Sequence, residues 1–68
     1  MEKIIAKRIF ELRIERGYTQ KQLAEIIGVT QKAIDFWEKG TNEPKASFVM
    51  KLAKTFKVTS DYLLGLEN

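Results

Sequence analysis

Polar side chains in the middle of the sequence have types that suit recognition by hydrogen bonding better than covalent chemistry. On a helix, Gln31, Lys32, Asp35 and Phe36 would share one side. The 68 residues include no cysteine and no histidine, which removes thiol nucleophiles, histidine-dependent triads and Cys/His zinc sites. The carboxylates are scattered, and the sequence has no glycine-rich phosphate loop. We therefore expect no enzyme, no metal, no cofactor and no small-molecule ligand.

The charge balance permits an anionic partner without requiring one. Twelve Lys and Arg residues against nine Asp and Glu residues give a net charge of +3. Apolar residues make up 44% of the chain, but no apolar run approaches the roughly 18 residues of a membrane span. Lys3, Lys7 and Arg8 interrupt the beginning of the chain, so a signal peptide does not fit. We expect one small cytoplasmic domain over residues 1–68, with no membrane partner.

Spacing and capping signals predict the helices that would position the polar side chains. A first amphipathic helix over 3–16 ends before Gly17. Thr19-x-x-Gln22 is a capping box, which starts a second helix that stops at Gly28. The first helix places Ile5, Ile9 and Leu12 at helical spacing, and the second carries Leu23, Ile26 and Ile27.

A third and a fourth helix follow. Thr30 is a good N-cap for a helix over 31–38, and Pro44 suits the entrance to a helix that runs to about Phe56. Their predicted inward residues are Ile34, Trp37, Val49, Leu52, Ala53 and Phe56. Trp37 could stack on a ligand, but an aromatic residue at core spacing favours a place in the core.

The second and third helices are joined by a very short connection. Only Gly28, Val29 and Thr30 separate them, and so tight a turn makes them cross steeply in a helix-turn-helix geometry. Ala24 supplies a small residue at the contact. The shared apolar wedge would consist of Leu23, Ile27, Val29, Ile34 and Trp37. The fold class predicted is therefore all-α.

Stretches along almost the whole chain resemble the phage-repressor and Cro-like family of helix-turn-helix DNA-binding domains. The matching stretches are Ile5-Ala6-Lys7-Arg8-Ile9, Leu12-Arg13, Tyr18-Thr19-Gln20, Gln22-Leu23-Ala24, Gly28-Val29-Thr30-Gln31, Ile34, Trp37-Glu38-Lys39-Gly40, Pro44, Leu52-Ala53, Phe56, Val58-Thr59 and Tyr62-Leu63-Leu64. The resemblance implies a compact five-helix, lambda-repressor-like domain. It also implies operator DNA as the partner, a homodimer, and a third helix that lies in the major groove.

The outward face of the third helix would then read bases. Gln31 has the donor and acceptor pair that matches adenine N6 and N7, and Lys32 can donate to guanine O6 or N7, or to phosphate. Phe36 either rests on a thymine methyl group or packs on the domain or a partner. Asp35 must find a cytosine N4 donor, or it holds Lys32 or Lys39 in place. Ala33 lies near the same face.

Other polar residues around this helix would bind phosphate without reading sequence. Gln20 opens the second helix, where the free backbone amides favour a phosphate, and the family resemblance also implies a phosphate-contacting glutamine there. The residues expected to flank the reading helix are Thr30, Lys39, Thr41, Asn42 and Lys45. Each of these side chains could instead be merely solvated.

Arg13 and Glu38 are expected to be structural. The resemblance implies a partly buried salt bridge between them, which ties the first helix to the end of the third. Loss of Glu38 should then reduce stability and leave sequence preference unchanged.

The end of the chain carries more apolar surface than one short helix readily buries. Thr59 or Ser60 caps a fifth helix that contains Tyr62, Leu63 and Leu64. Packing inside the domain is one interpretation. The other is a dimer contact through Tyr62, Leu64 and Leu66, with Leu63 in the core.

A protein-interaction module of the same fold is the alternative function: an antitoxin, an anti-repressor or a co-regulator. The weakly basic charge and Asp35 favour it, whereas Gln20, Gln31 and Lys32 oppose it. Salt dependence of binding to random DNA separates the two hypotheses.

Overall fold

The computed structural model describes residues 3–67, and within that range the only regular elements are five α-helices. They are α1 (Ile4–Glu15), α2 (Gln20–Ile27), α3 (Gln31–Lys39), α4 (Ala46–Phe56) and α5 (Ser60–Leu64). The predicted all-α class and the order of the helices are confirmed. Helix α1 is one residue shorter at each end than predicted, and α3 is one residue longer.

Threonine side chains begin three of the helices. Thr19 Oγ1 accepts from the backbone N–H of Gln22 at 3.0 Å, and the Gln22 side chain accepts from the Thr19 N–H at 2.9 Å, which completes the capping box. Thr30 caps α3 in the same way. Thr59, rather than Ser60, caps α5, because its hydroxyl accepts from the N–H three residues further on.

The joint between α2 and α3 depends on one glycine. Gly28 has φ of 87°, a left-handed conformation that glycine adopts without a steric penalty. This bend directs the N–H groups of Gly28 and Val29 to the carbonyl of Ala24, at 2.8 and 3.0 Å. Ala24 is buried, and α2 and α3 pack on each other. The helix-turn-helix unit predicted from the short connection is thus present.

The core fills the space between the helix-turn-helix unit and the other three helices. Trp37 is buried and its ring lies 5.6 Å from that of Phe48, which supports its assignment to the core. Val29 is only partly buried, at the edge of the wedge, and Ile26 is 51% exposed. The fully buried large side chains are Ile9, Leu23, Ile27, Ile34, Leu52, Phe56 and Leu63.

Candidate nucleic-acid interface

Helix α3 turns its apolar side to the core and its polar side outward. Ile34 and Trp37 are buried, whereas Gln31 and Lys32 in the first turn are exposed. Because the Thr30 hydroxyl accepts only from the third N–H of the helix, the first turn keeps free donors beside these two side chains. A ligand that approaches the N-terminal end of α3 therefore meets Gln31 and Lys32.

The other predicted reading residues are less exposed. Asp35 and Phe36 are half-buried, and Ala33 packs partly against the core. The Lys32 ammonium lies 5.9 Å from the centre of the Phe36 ring, within the range of a cation–π contact. The side chains of Lys32 and Phe36 therefore form one continuous surface on α3, with the aromatic ring beside the ammonium group.

A buried ion pair joins α1 to the end of α3. Arg13 Nε lies 2.5 Å from Glu38 Oε2, and Arg13 Nη2 donates to Glu38 Oε1 at 3.1 Å. The two side chains are only 10% and 5% exposed. Arg13 Nη1 also donates to the carbonyl of Tyr18, at 2.9 Å. The pair therefore links α1, the loop before α2, and α3, as a structural role requires.

Gln20 joins this ion pair to the polar side of α3. Its Nε2 donates to Glu38 Oε1 at 3.1 Å and to Asp35 Oδ1 at 3.3 Å. Sequence reasoning places Gln20 at the start of α2 but gives no indication of either acceptor, because both are supplied by another helix. The two contacts fix the amide of Gln20 beside the polar face of α3.

Asp35 is paired with the lysine one turn further along α3. Lys39 Nζ lies 2.9 Å from Asp35 Oδ2, which is the pairing that the sequence left open between Lys32 and Lys39. Hydrogen bonds from Lys39 and from Gln20 hold the pKa of the Asp35 carboxyl below its ordinary value. The carboxyl group is therefore ionised at neutral pH, on the same face as Gln31 and Lys32.

The remaining predicted phosphate contacts lie around this face. Thr30 is exposed in front of α3, and Thr41, Asn42 and Lys45 are exposed in the loop behind it. Gln20, Gln31, Lys32 and Asp35 line one shallow depression. The structure brings those four together, while the loop residues stay apart from them at the other end of α3.

One further cation beside this face was not predicted. Lys7 on α1 lines a groove together with Gln20, Asp35 and Lys39. In the sequence Lys7 has only the signature of a solvated position on an amphipathic helix, so no local signal could have placed it there.

The predicted dimer residues differ in exposure. Leu64 is 48% exposed and Leu66 is 72% exposed, whereas Tyr62 is half-buried and Leu63 is fully buried. The Arg8 guanidinium lies 4.1 Å from the centre of the Tyr62 ring, which holds α5 on α1. Leu64 lines an apolar groove of α4 and α5 whose other residues are Pro44, Ala46, Val49, Met50 and Ser60.

Residues 3–67 contain no group of three or more carboxylate side chains placed to hold a metal ion. None of the helices found there has the length and apolar character needed to cross a bilayer.

The fold and the exposed polar face of α3 define a small helix-turn-helix domain. Comparison with known proteins agrees: the chain belongs to the helix-turn-helix family HTH_3, whose model matches residues 9–63.

Relatives of known name are transcriptional regulators. The regulator ImmR of Bacillus subtilis is 34% identical over 61 residues, which is 90% of this chain and 48% of ImmR. The cryptic phage CTXphi transcriptional repressor RstR of Vibrio cholerae is 40% identical over 55 residues, which is 81% of this chain and 50% of RstR. The chain therefore spans about half the length of these relatives.

Solved structures of similar fold include two proteins bound to DNA. The P22 c2 repressor in complex with a synthetic operator has a TM-score of 0.89 and 29% identity, and the match covers 97% of this chain and all of that one. The biofilm regulator SinR in complex with DNA has a TM-score of 0.81 and 31% identity, over 88% of this chain and 97% of that one. The lambda-repressor-like class is thus confirmed.

Proposed function

We propose that this chain is a sequence-specific double-stranded DNA-binding transcriptional regulator that reads the major groove with α3. The observation that carries the proposal is the exposed face of α3, with Gln31 and Lys32 in its first turn, on a helix-turn-helix unit. A helix presented in this way fits the width of the major groove, and its first residues reach the base edges. The P22 c2 repressor and SinR, both of similar fold, were solved with DNA.

The contacts are proposed to fall into two groups. Gln31, Lys32, Ala33, Asp35 and Phe36 face the bases, and their side chains determine the sequence that is preferred. Phosphate is bound by Gln20, Thr30, Lys39, Thr41, Asn42 and Lys45, which fix the orientation of the domain and add affinity for every sequence alike. Lys7 extends this second group, because it lines the groove next to Lys39.

The active form is proposed to be a homodimer that joins through Leu64 and Leu66, with Tyr62 at the edge of the contact. Two copies related by a two-fold axis would present their α3 helices about 34 Å apart, to half-sites one turn of DNA apart. The exposure of both leucines supports this contact.

The proposal extends to repression in the cytoplasm, without catalysis and without a cofactor. RstR and P22 c2 are both named repressors, although the relative BcrR of Enterococcus faecalis is named an activator. A bound dimer represses where its site overlaps a promoter. A reporter gene with the selected site between the promoter elements should therefore lose expression when the protein is present.

A titration of labelled random duplex against salt tests DNA binding itself. A protein that neutralises several phosphates shows log K falling linearly with log salt, with a slope of about −0.9 for each phosphate. Weak binding without such a slope would contradict the proposal and favour the protein-interaction module. Selection from a random oligonucleotide pool then tests sequence preference, because a regulator that reads bases enriches one motif.

A further inference from the structure

Asp35 holds two of the side chains that the proposed function assigns to phosphate. Its Oδ2 lies 2.9 Å from Lys39 Nζ, and its Oδ1 accepts from Gln20 Nε2 at 3.3 Å. Since Gln20 Nε2 also donates to Glu38 Oε1, both hydrogens of that amide are engaged within the protein. While these contacts last, the amide has no hydrogen left for a phosphate, and the ammonium is held beside a carboxylate that offsets its charge, so both bind phosphate less well.

We propose that Asp35 is a specificity-determining residue, which lowers the affinity for DNA of arbitrary sequence by holding Lys39 and Gln20 away from the phosphates. The inference rests on the proposed function. Discrimination between partners arises as much from a cost imposed on the wrong partner as from contacts with the right one. Asp35 imposes such a cost, because any sequence that binds must break its contacts or forgo the two donors.

At the right sequence the cost is removed by the DNA. A cytosine N4 amine in the major groove can donate to the Asp35 carboxylate, which then keeps a donor when Lys39 leaves it for a phosphate. At other sequences no cytosine amine replaces the Lys39 ammonium. If Lys39 then leaves, the Asp35 carboxylate faces the bases and the phosphates without that hydrogen-bond donor. The ammonium of Lys39 is therefore released at the operator and retained elsewhere.

The geometry allows this exchange without unfolding the domain. The Lys39 side chain is 65% exposed and that of Asp35 is 32% exposed, so the pair lies at the surface, where ion pairs contribute little to stability. The pKa of Asp35 is held below its ordinary value, so the carboxyl group keeps its charge in a binding assay at neutral pH. The Asp35 carboxylate therefore stays charged at neutral pH, and its surface position lets Lys39 leave it for another partner.

The variant Asp35→Asn tests the proposal. Asparagine has the same shape and still accepts from Gln20, but it does not retain the Lys39 ammonium. We expect tighter binding to random duplex and a salt slope that is steeper by about 0.9, which is one more phosphate. The ratio of the variant's affinity for random duplex to that of the wild-type chain should then fall about 3.5-fold between roughly 50 and 200 mM salt. Its preference for the selected operator over random DNA should fall.

A charge control and a double-mutant cycle separate this mechanism from simple repulsion. Asp61→Asn removes the same charge from α5, which packs on α1 and α4, and should leave the salt slope unchanged. In a Lys39→Gln background, Asp35→Asn should no longer steepen the slope, because the held cation is absent.

Several results would overturn the inference. They are an equal effect of Asp35→Asn with and without Lys39, equal effects of Asp35→Asn and Asp61→Asn, or an unchanged operator preference. In each of these cases the wild-type chain still binds DNA, so the proposed function stands. A wild-type chain that shows no salt-dependent DNA binding overturns the proposed function, and this inference with it. Equal thermal melting of the variants checks that the fold is retained.

Discussion

Single side chains on α3 and beside it divide into those expected to read bases and those expected to hold phosphate, and substitution can separate the two roles. We expect Gln31→Ala to relax base preference at one position of the operator, at a cost of about 1–3 kcal/mol for the preferred base. Lys45→Ala should weaken binding to all sequences alike. It should also reduce the magnitude of the salt slope by about 0.9, the amount expected for one phosphate contact. Competition with single-base operator variants measures the base preference, and titration at several salt concentrations measures the slope. Uniform losses in both variants would contradict the division.

Stability should depend on both members of the buried Arg13–Glu38 pair being present. Removing one partner of a buried pair leaves an uncompensated charge, so Glu38→Ala should lower the free energy of unfolding by about 3–5 kcal/mol. The base preference should not change. Urea denaturation gives the stability, and operator competition gives the preference.

A matched control is available on α1. Glu15 forms an exposed pair with Arg16 at 3.0 Å, and the two side chains are 66% and 35% exposed. Since exposed pairs contribute about 0–1 kcal/mol, Glu15→Ala should change stability by no more than that. Equal losses for the two variants would show that burial of the Arg13–Glu38 pair has no energetic consequence.

Helices α2 and α4 both end at a residue with a left-handed backbone, which is a glycine in α2 and a lysine in α4. Gly28 has φ of 87° and open space where a Cβ would lie, so Gly28→Ala meets only backbone strain, of about 1–2 kcal/mol. At the end of α4 the left-handed position holds a lysine instead, Lys57, with φ of 59°. Replacing it with glycine removes the same kind of strain.

These two substitutions should therefore have opposite effects on stability. We expect Gly28→Ala to lower the melting temperature and Lys57→Gly to raise it. For Lys57→Gly the free energy of unfolding should increase by up to about 1 kcal/mol. Thermal and urea denaturation measure both effects. A stabilising Gly28→Ala would show that the left-handed bend is not required between α2 and α3.

Helix formation itself was largely predictable from the sequence because its signals act over a few residues. The Thr19 and Thr30 caps act within one turn, so α2 and α3 begin at the predicted residues. The end of α4 was less clear. No glycine marks it, since a lysine adopts the left-handed conformation there.

Association of two copies of the domain is expected to depend on Leu64, which is 48% exposed. Leu64→Lys should abolish the proposed dimer contact by placing charges opposite each other across the two-fold axis, and should weaken operator binding while leaving α3 intact. Ile26→Lys is the control, because Ile26 lies on α2 and its exposure is similar: 51% for Ile26 and 48% for Leu64. Sedimentation of each variant, with and without operator, gives the oligomeric state. A wild-type monomer on a single half-site would contradict the dimer.

Local signals in the sequence are sufficient to predict the five helices, the threonine caps of α2, α3 and α5, and most buried apolar positions, such as Leu23 and Ile34. Periodicity and capping depend on near neighbours in the chain. Contacts between helices, by contrast, are visible only in the folded chain. There Gln20 donates to Asp35 and Glu38, Lys7 joins the groove beside Lys39, and Ile26 stays outside the core. These features depend on which helix faces meet. The polar contacts of the α3 face come from helices that are distant in sequence, and their distances follow from how α1, α2 and α3 pack around the shared core.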